Sequence, residues 1–354
     1  MTHISHPGAP GPGRGSGQGR PLDAGAVRDG LHARAERAAH PLVAGALWAM
    51  AEGLQHHAEL PSTQPVALAD PRPWRVVSAD HQTHGRGRRD RSWLNTAATG
   101  LAVSVTLPLA AGGGPVPEAI AASRVHRVGL VPLCVGAAVR DALAAAGVET
   151  GVKWPNDVLT TTGQHKLAGV LCQVAEGMRS VVAGVGVNVW PVGSDEGHHS
   201  VAEELVAADR PAPEDLREQV LLDLLDRVAV WHTTWSQVTA STDPASEEEL
   251  LGALGAMSLT LGQEVDLHRP GGQVVRARAE ALDASGALVV QERSAATGEL
   301  GPRSTHAAGD VVHLRRARDA CHDGPVSAEP ADPRARVASR PSDPQEVSGR
   351  GAPA

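Results

Sequence analysis

The sequence predicts an α+β chain: helices on one face of a mixed, largely antiparallel sheet, followed by a small β-barrel. Residues 74–189 contain a succession of short, β-branched apolar runs bounded by Gly and Pro, the pattern of strands joined by tight turns. Two longer stretches, residues 117–146 and 216–235, place apolar residues at helical spacing. Residues 257–315 then repeat a strand–turn rhythm of about five short strands, which a small closed sheet satisfies.

Each element follows from local pattern. In the run 42–54, Val43, Leu47, Met50 and Leu54 share one helical face, predicting a single amphipathic helix within residues 26–60. Four prolines between residues 59 and 73 exclude continuous helix there. Residues 74–79 and 101–107 read as strands. In the stretch 117–146, Leu133, Ala137 and Leu143 form an inward stripe that stops at Gly147. A strand at 151–154, a turn at 155–157 and strands at 158–161, 166–174 and 180–189 make a meander. The helix at 216–235 has Leu221, Leu225, Val228 and Trp231 in register, and a polar stretch, 241–249, separates it from the last strands. Turns fall at 270–272, 283–286 and 308–309. Gly- and Pro-rich ends without periodicity, residues 1–25 and 317–354, are expected to be disordered. Between them lie a helical segment at 26–54, a main domain at 55–240 and a C-terminal domain at 255–316.

Composition narrows the function. A net charge of −8 argues against a chain built to coat nucleic acid, which needs Lys and Arg to neutralise phosphates. No apolar run approaches the ~20 residues of a membrane span, and no signal-peptide core is present, so an intracellular chain is expected. Cys134, Cys172 and Cys321 are far apart, without the spacing of a disulfide framework or zinc site. The 17 histidines include the adjacent pairs His56-His57 and His198-His199, which do not face one way, and no metal site is expected from their spacing. Tyr and Phe are absent, so the seven Trp are the only large rings.

Two segments carry chemistry. Gly85-Arg86-Gly87-Arg88-Arg89-Asp90-Arg91 packs four guanidinium groups and two glycines into one loop, suited to an anion nest with bidentate donors, although a solvated basic loop has the same composition. Lys153-Trp154-Pro155-Asn156-Asp157 places a compact cation and two polar side chains at the end of a strand, and Asn188 ends another.

With Gln82 before it and Ser92-Trp93 after it, the Arg-Gly loop resembles the ligand-binding loop of biotin–protein ligases, in which Gly-Arg-Gly-Arg-Arg-Gly-Arg-x-Trp recurs. The Lys153–Asp157 string matches the second signature of that family, residues 166–171 the third, and residues 184–189 the fourth. Leu261-Gly262, Gly286 and Gly309-Asp310-Val311 continue the likeness into the C-terminal domain, which the resemblance makes SH3-like. It implies a cytoplasmic enzyme, monomer or weak homodimer, that activates biotin with ATP and Mg²⁺ and passes it to a lysine of a biotin carboxyl carrier protein domain. Neither nucleic acid nor membrane is an expected partner.

Carried over residue by residue, Lys153 and Arg88 are the expected catalytic groups. Biotin would be held by Ser62, Thr63, Gln64, Gln82, Arg86, Gly87, Arg88 and Lys153, and the nucleotide by Arg89, Arg91, Trp93, Asn156, Asp157 and Asn188. The resemblance assigns no protein ligand to the Mg²⁺ that accompanies the phosphates. Three positions depart from the family: Gln64 stands for Asn, Asp90 for Gly and Gln173 for Glu. A lipoate or octanoate transferase of the related fold should lack the Arg-Gly loop and the Lys-Trp-Pro-Asn-Asp string. A ligase that doubles as a repressor would need a three-helix N-terminal module, and a non-catalytic biotin binder would not need Lys153.

Overall fold

The computed structural model describes residues 19–93, 96–109, 118–192, 199–269, 271–294, 296–307 and 313–316. The expected tail at 317–354, residues 1–18 and the turn at 308–309 lie outside these residues.

Two N-terminal helices form where the sequence predicts one: α1 (Ala24–Arg37) and α2 (Pro41–Gly53). The α1 sequence is polar, and only Val27, Leu31 and Ala35 are buried on it, a stripe too thin to stand out in the pattern. The Asp23 carboxylate caps it by accepting from the Ala26 N–H. The predicted tail is corrected at residues 19–25: Leu22 is buried, its N–H donates to Asp80 Oδ1 at 3.1 Å, and Arg20 pairs with Glu218 at 2.8 Å. Both helices join the main core instead of forming a separate module.

The chain continues through β1 (Leu54–Leu60), α3 (Thr63–Ala69), β2 (Val76–Gln82), β3 (Gly100–Pro108), α4 (Glu118–His126) and α5 (Val131–Ala145). Then come β4 (Thr150–Lys153), β5 (Asp157–Thr160), β6 (Lys166–Val174), β7 (Ser180–Asn188), α6 (Val201–Ala207), α7 (Leu216–Ala240) and α8 (Pro244–Ala256). The single helix expected at 117–146 is split by a 3₁₀ turn at Val128–Leu130, because Pro132 has no N–H and is tolerated only in a first turn. The polar stretch at 241–249 hides the start of α8, capped by Asp243.

The seven strands run in the order β1-β2-β3-β7-β6-β5-β4, and all neighbours are antiparallel except β1 and β2. Strand alternation divides the sheet into two faces. Val103 and Val105 of β3, with Val181, Ala183, Val185 and Val187 of β7, belong to the large core shared with α1, α2, α5 and α7. On the other face Val77 and Val182 pack against Ala67 of α3. Among the described residues the other helices therefore lie on one face as expected, with short α3 on the opposite face. Neither β1 nor α3 is predicted by pattern: β1 is a polar edge strand, and α3 lies among the prolines.

Residues Val128–Ala145 form an 18-residue stretch with a mean hydropathy of 1.6, long and apolar enough by composition for a membrane span, which corrects the expectation that no such run exists. Here it is the core helix packed on α7, and 61% of it is buried. Across the same core, Arg217 of α7 donates to Asp80 Oδ1 at 2.7 Å. Burial alone would raise the Asp80 pKa, but the hydrogen bonds to His56 and Arg217 outweigh it and hold the carboxyl at about 2.

The C-terminal sheet contains β8 (Glu264–His268), β9 (Val274–Leu282), β10 (Leu288–Arg293), β11 (Leu300–His306) and β12 (His313–Arg316), all antiparallel, in the order β11-β10-β9-β8-β12. It agrees with the expected SH3-like unit. The connection into it is hydrogen-bonded to β4: the Val152 N–H donates to Met257 O and the Leu259 N–H to Val152 O, both at 2.9 Å.

Candidate active site

A cleft opens on the face of the sheet that carries α3. Its floor is made by β3, β6 and β7, where Ser104, Gly169, Gly184 and Gly186 face away from the main core. Two of these glycines permit a close approach. A Cβ on Gly184 would lie 2.5 Å from Gln64 Oε1, and one on Gly186 would lie 2.6 Å from Cζ2 and Nε1 of Trp93. Side chains from α3 and from the Arg-Gly loop thus rest on bare backbone.

One end of the cleft is a neutral hydrogen-bonding wall. Gln82, at the end of β2, accepts through Oε1 from the Thr63 N–H at 2.8 Å and from Thr63 Oγ1 at 3.2 Å. Gln64 is buried and engaged through both amide atoms: its Nε2 donates to Val182 O at 3.0 Å, and its Oε1 accepts from Ser104 Oγ at 3.0 Å. Ser62 precedes α3 and lines the cleft with them.

The other end is charged. Arg86, Gly87, Arg88, Arg91 and Trp93 line it from the loop, and Asn156, Asp157 and Lys166 face them. The loop closes on itself through a bridge between Arg86 and Ser92, and the Trp93 N–H donates to Gly85 O at 2.9 Å. Within the loop Gly87 is extended at φ −105°, and Arg89 takes the positive φ of 52°. Gly85 is needed for space, since a Cβ there would collide with the Trp93 carbonyl oxygen. Arg88 Nη1 donates to Asn156 Oδ1 at 3.0 Å, tying the loop to the turn after β4. Burial lowers the Arg88 pKa, and Arg89 and Arg91 lower it further, against the opposing pull of Asp157. Lys166 Nζ lies 2.7 Å from Asp157 Oδ1 and 5.3 Å from the centre of the Trp93 ring.

The structure therefore brings together Ser62, Thr63, Gln64, Gln82, Arg86, Gly87, Arg88, Arg91, Trp93, Asn156 and Asp157. Lys153, Arg89 and Asn188 are not among the residues that line the cleft. Lys153 ends β4 opposite Asp157 in register, Arg89 is exposed on the loop, and Asn188 Nδ2 donates to Lys166 O at 3.2 Å and His199 O at 3.1 Å. Reading the sequence assigns no role to Ser104 or Lys166. Lys166 opens the third signature and is visible there, whereas a serine inside an apolar strand gives no signal.

The second signature is held from below. Trp154 is buried, its backbone N–H donates to Thr260 Oγ1 at 3.0 Å, and its indole Nε1 donates to Gly286 O at 3.1 Å. Its ring is core, and Thr260, ahead of β8, and Gly286, in the turn between β9 and β10, fix the turn that presents Asn156 and Asp157.

Residues 60–189 match the Biotin/lipoate A/B protein ligase family, and residues 260–314 match the Biotin protein ligase C terminal domain. Over 247 residues the chain is 36% identical to the biotin–[acetyl-CoA-carboxylase] ligase of Mycobacterium tuberculosis, covering 68% of this chain and 79% of that protein. A bifunctional ligase/repressor of Bacillus subtilis is 33% identical over 147 residues, 40% of this chain and 41% of that one. The fold is shared with a biotin protein ligase from Aquifex aeolicus solved with biotin and ATP, at a TM-score of 0.57 and 23% identity, over 75% of this chain and 100% of that chain. Taken with the two matched domains, the extent of the first of these likenesses shows that the chain belongs to the biotin protein ligase family.

Proposed function

We infer that this chain joins the biotin carboxylate to the α-phosphate of ATP, releasing pyrophosphate, and then transfers biotin from biotinyl-5'-AMP to a lysine of a biotin carboxyl carrier protein domain. In the first step a carboxylate oxygen attacks the α-phosphorus, and no general base is needed. In the second, the carrier amine attacks the acyl carbon and AMP leaves. The observation that carries this reading is the polarity of the cleft: amides and hydroxyls at one end, guanidinium groups at the other.

The ureido ring of biotin is an amide-like group that is costly to bury unpaired. Gln82, Thr63, Ser62 and Gln64 supply or brace its partners, and Arg86 and Gly87 close over it. Arg88, which lines the cleft, balances the charge that develops between carboxylate and phosphoryl oxygens, and we assign Lys153, opposite Asp157 at the end of β4, to the same role once the substrates are bound. Arg91, Trp93, Asn156 and Asp157 form the nucleotide side, with Arg89 at the loop surface. We assign Asn188 there as well, acting through the Lys166 carbonyl that it holds. Asp157 also suits a Mg²⁺ shared with the phosphates, because its buried Oδ1 has Lys166 beside it but no well-aligned hydrogen bond. Such an ion would neutralise phosphate charge. A cytoplasmic location and a monomeric or weakly dimeric state belong to the same reading.

The test is incubation of the full chain with biotin, ATP and Mg²⁺, followed by pyrophosphate release and mass spectrometry for biotinyl-adenylate. Lipoate and octanoate in place of biotin are the controls. Adenylate with biotin alone supports the reading, and preferential use of lipoate or octanoate overturns it.

A further inference from the structure

Beside the cleft stands a group of side chains that the ligase chemistry does not use. His165 lies in the connection between β5 and β6, His199 precedes α6, and Glu204 lies on α6. One ligand atom from each falls within 4.8 Å of the others. Glu204 Oε1 is 2.6 Å from His199 Nε2 and 3.5 Å from His165 Nδ1, and the imidazole centres are 3.9 Å apart at an angle of 30°.

Hydrogen bonding accounts for only part of the group: His165 Nδ1 and Glu204 Oε1 share one long bond at 3.5 Å. His199 Nε2 is buried and makes no well-aligned hydrogen bond, even with the carboxylate so close. The arrangement suits coordination better. Metal–ligand bonds of about 2.0–2.1 Å in a tetrahedron put donor atoms about 3.3 Å apart, so small side-chain adjustments would bring all three onto one ion. The other nitrogen of His199, Nδ1, lies 4.0 Å from Glu203 Oε2, whose hydrogen bonds from the Ser200 N–H and Oγ–H anchor the start of α6 beside the cluster. The backbone is also braced, because Asn188 Nδ2 donates to both Lys166 O and His199 O and so holds the two histidine-bearing segments together.

We propose that His165, His199 and Glu204 form a three-ligand site for a borderline divalent metal ion, Zn²⁺ foremost, with a fourth position left to water. Two imidazoles and one carboxylate favour such an ion over Mg²⁺, which prefers all-oxygen, octahedral surroundings. The site is separate from the Mg²⁺ that accompanies ATP. Because His165 adjoins Lys166, the ion would brace one wall of the cleft.

The experiment is equilibrium dialysis of the full chain against Zn²⁺ without nucleotide and in excess Mg²⁺, with Co²⁺ as the spectroscopic probe. Wild type should bind one ion that Mg²⁺ does not displace, Co²⁺ should give the strong visible absorption of a tetrahedral site, and Zn²⁺ should raise Tm. His165→Ala, His199→Ala and Glu204→Gln should each weaken binding by about a hundredfold or more, since loss of a residue that merely orients a ligand already costs about 10–100-fold. His126→Ala, at an exposed position elsewhere, should change nothing. His165 is on an exposed connection, so its variant tests the site even if His199→Ala fails to fold. Absence of a stoichiometric ion in wild type, binding that survives His165→Ala, or displacement by Mg²⁺ would each overturn the proposal.

Discussion

Gly186→Ala is a small change with a large expected effect. The three atoms nearest to a Cβ at this position all belong to the Trp93 ring, and two of them would lie at 2.6 Å. Carbon atoms prefer about 3.5–4.0 Å, so the ring must retreat by about 1 Å. It cannot do so alone, because Trp93 is hydrogen-bonded to Gly85 and follows the Arg86–Ser92 bridge. Overpacking of this kind costs roughly 1–3 kcal/mol, about a 5- to 150-fold effect on whatever needs the loop in place. The assay is pyrophosphate release at varied ATP and varied biotin, for Gly186→Ala, Trp93→Ala and the double variant. Gly186→Ala should raise the ATP requirement more than the biotin requirement. In the Trp93→Ala background it should cost almost nothing, giving a coupling of at least about 1 kcal/mol. If the two effects simply add, Trp93 does not rest on Gly186 in the working enzyme.

Other consequences can be measured in the same preparations. Lys153→Met should lower adenylate formation on the order of a hundredfold at saturating substrates, while Gln82→Ala should chiefly raise the biotin requirement; a near-normal Lys153→Met beside a crippled Lys166→Met would transfer the role to the lysine that lines the cleft. Trp154→Phe removes the hydrogen bond to Gly286 and should lower both stability and activity by about 1 kcal/mol, a result refuted by an unchanged denaturation midpoint. Burial depresses His232 to about 4 from an ordinary 6.5, so the folded state keeps the ring neutral while the unfolded chain protonates. Stability from this group is therefore complete above pH 6.5 and is lost as pH falls towards 4, by about 3 kcal/mol in all. Denaturant midpoints across that range should slope less in His232→Gln than in wild type; equal slopes would exclude the assignment. Removal of residues 1–23 should destabilise the chain, because Leu22 and Arg20 contact Asp80 and Glu218, and unchanged melting would show those contacts to be idle.

Strands from β2 to β7 and the helices α5 and α7 were legible because their burial is periodic. Val181, Ala183, Val185 and Val187 alternate with Val182, Gly184 and Gly186, and a period of two is a local property of the chain. The Arg-Gly loop and the Lys153–Asp157 string were legible for another reason: their chemistry is concentrated in consecutive residues.

Other features depend on partners distant along the chain. Helix α1 is polar in sequence and is buried through only three residues against a core built mostly from later segments. The Asp80–Arg217 pair joins residues 137 positions apart, and neither residue differs locally from a surface charge. Trp154 is settled in the core by Thr260 and Gly286 of the C-terminal unit, and His165 meets His199 and Glu204 only after β6 and β7 have paired. By itself the sequence determined the periodic elements and the contiguous signatures, since both are written in neighbouring residues. Only the tertiary structure decided which charges are buried together, which lysine lines the cleft and which histidines converge, because those properties arise from distances between segments that the chain brings together by folding.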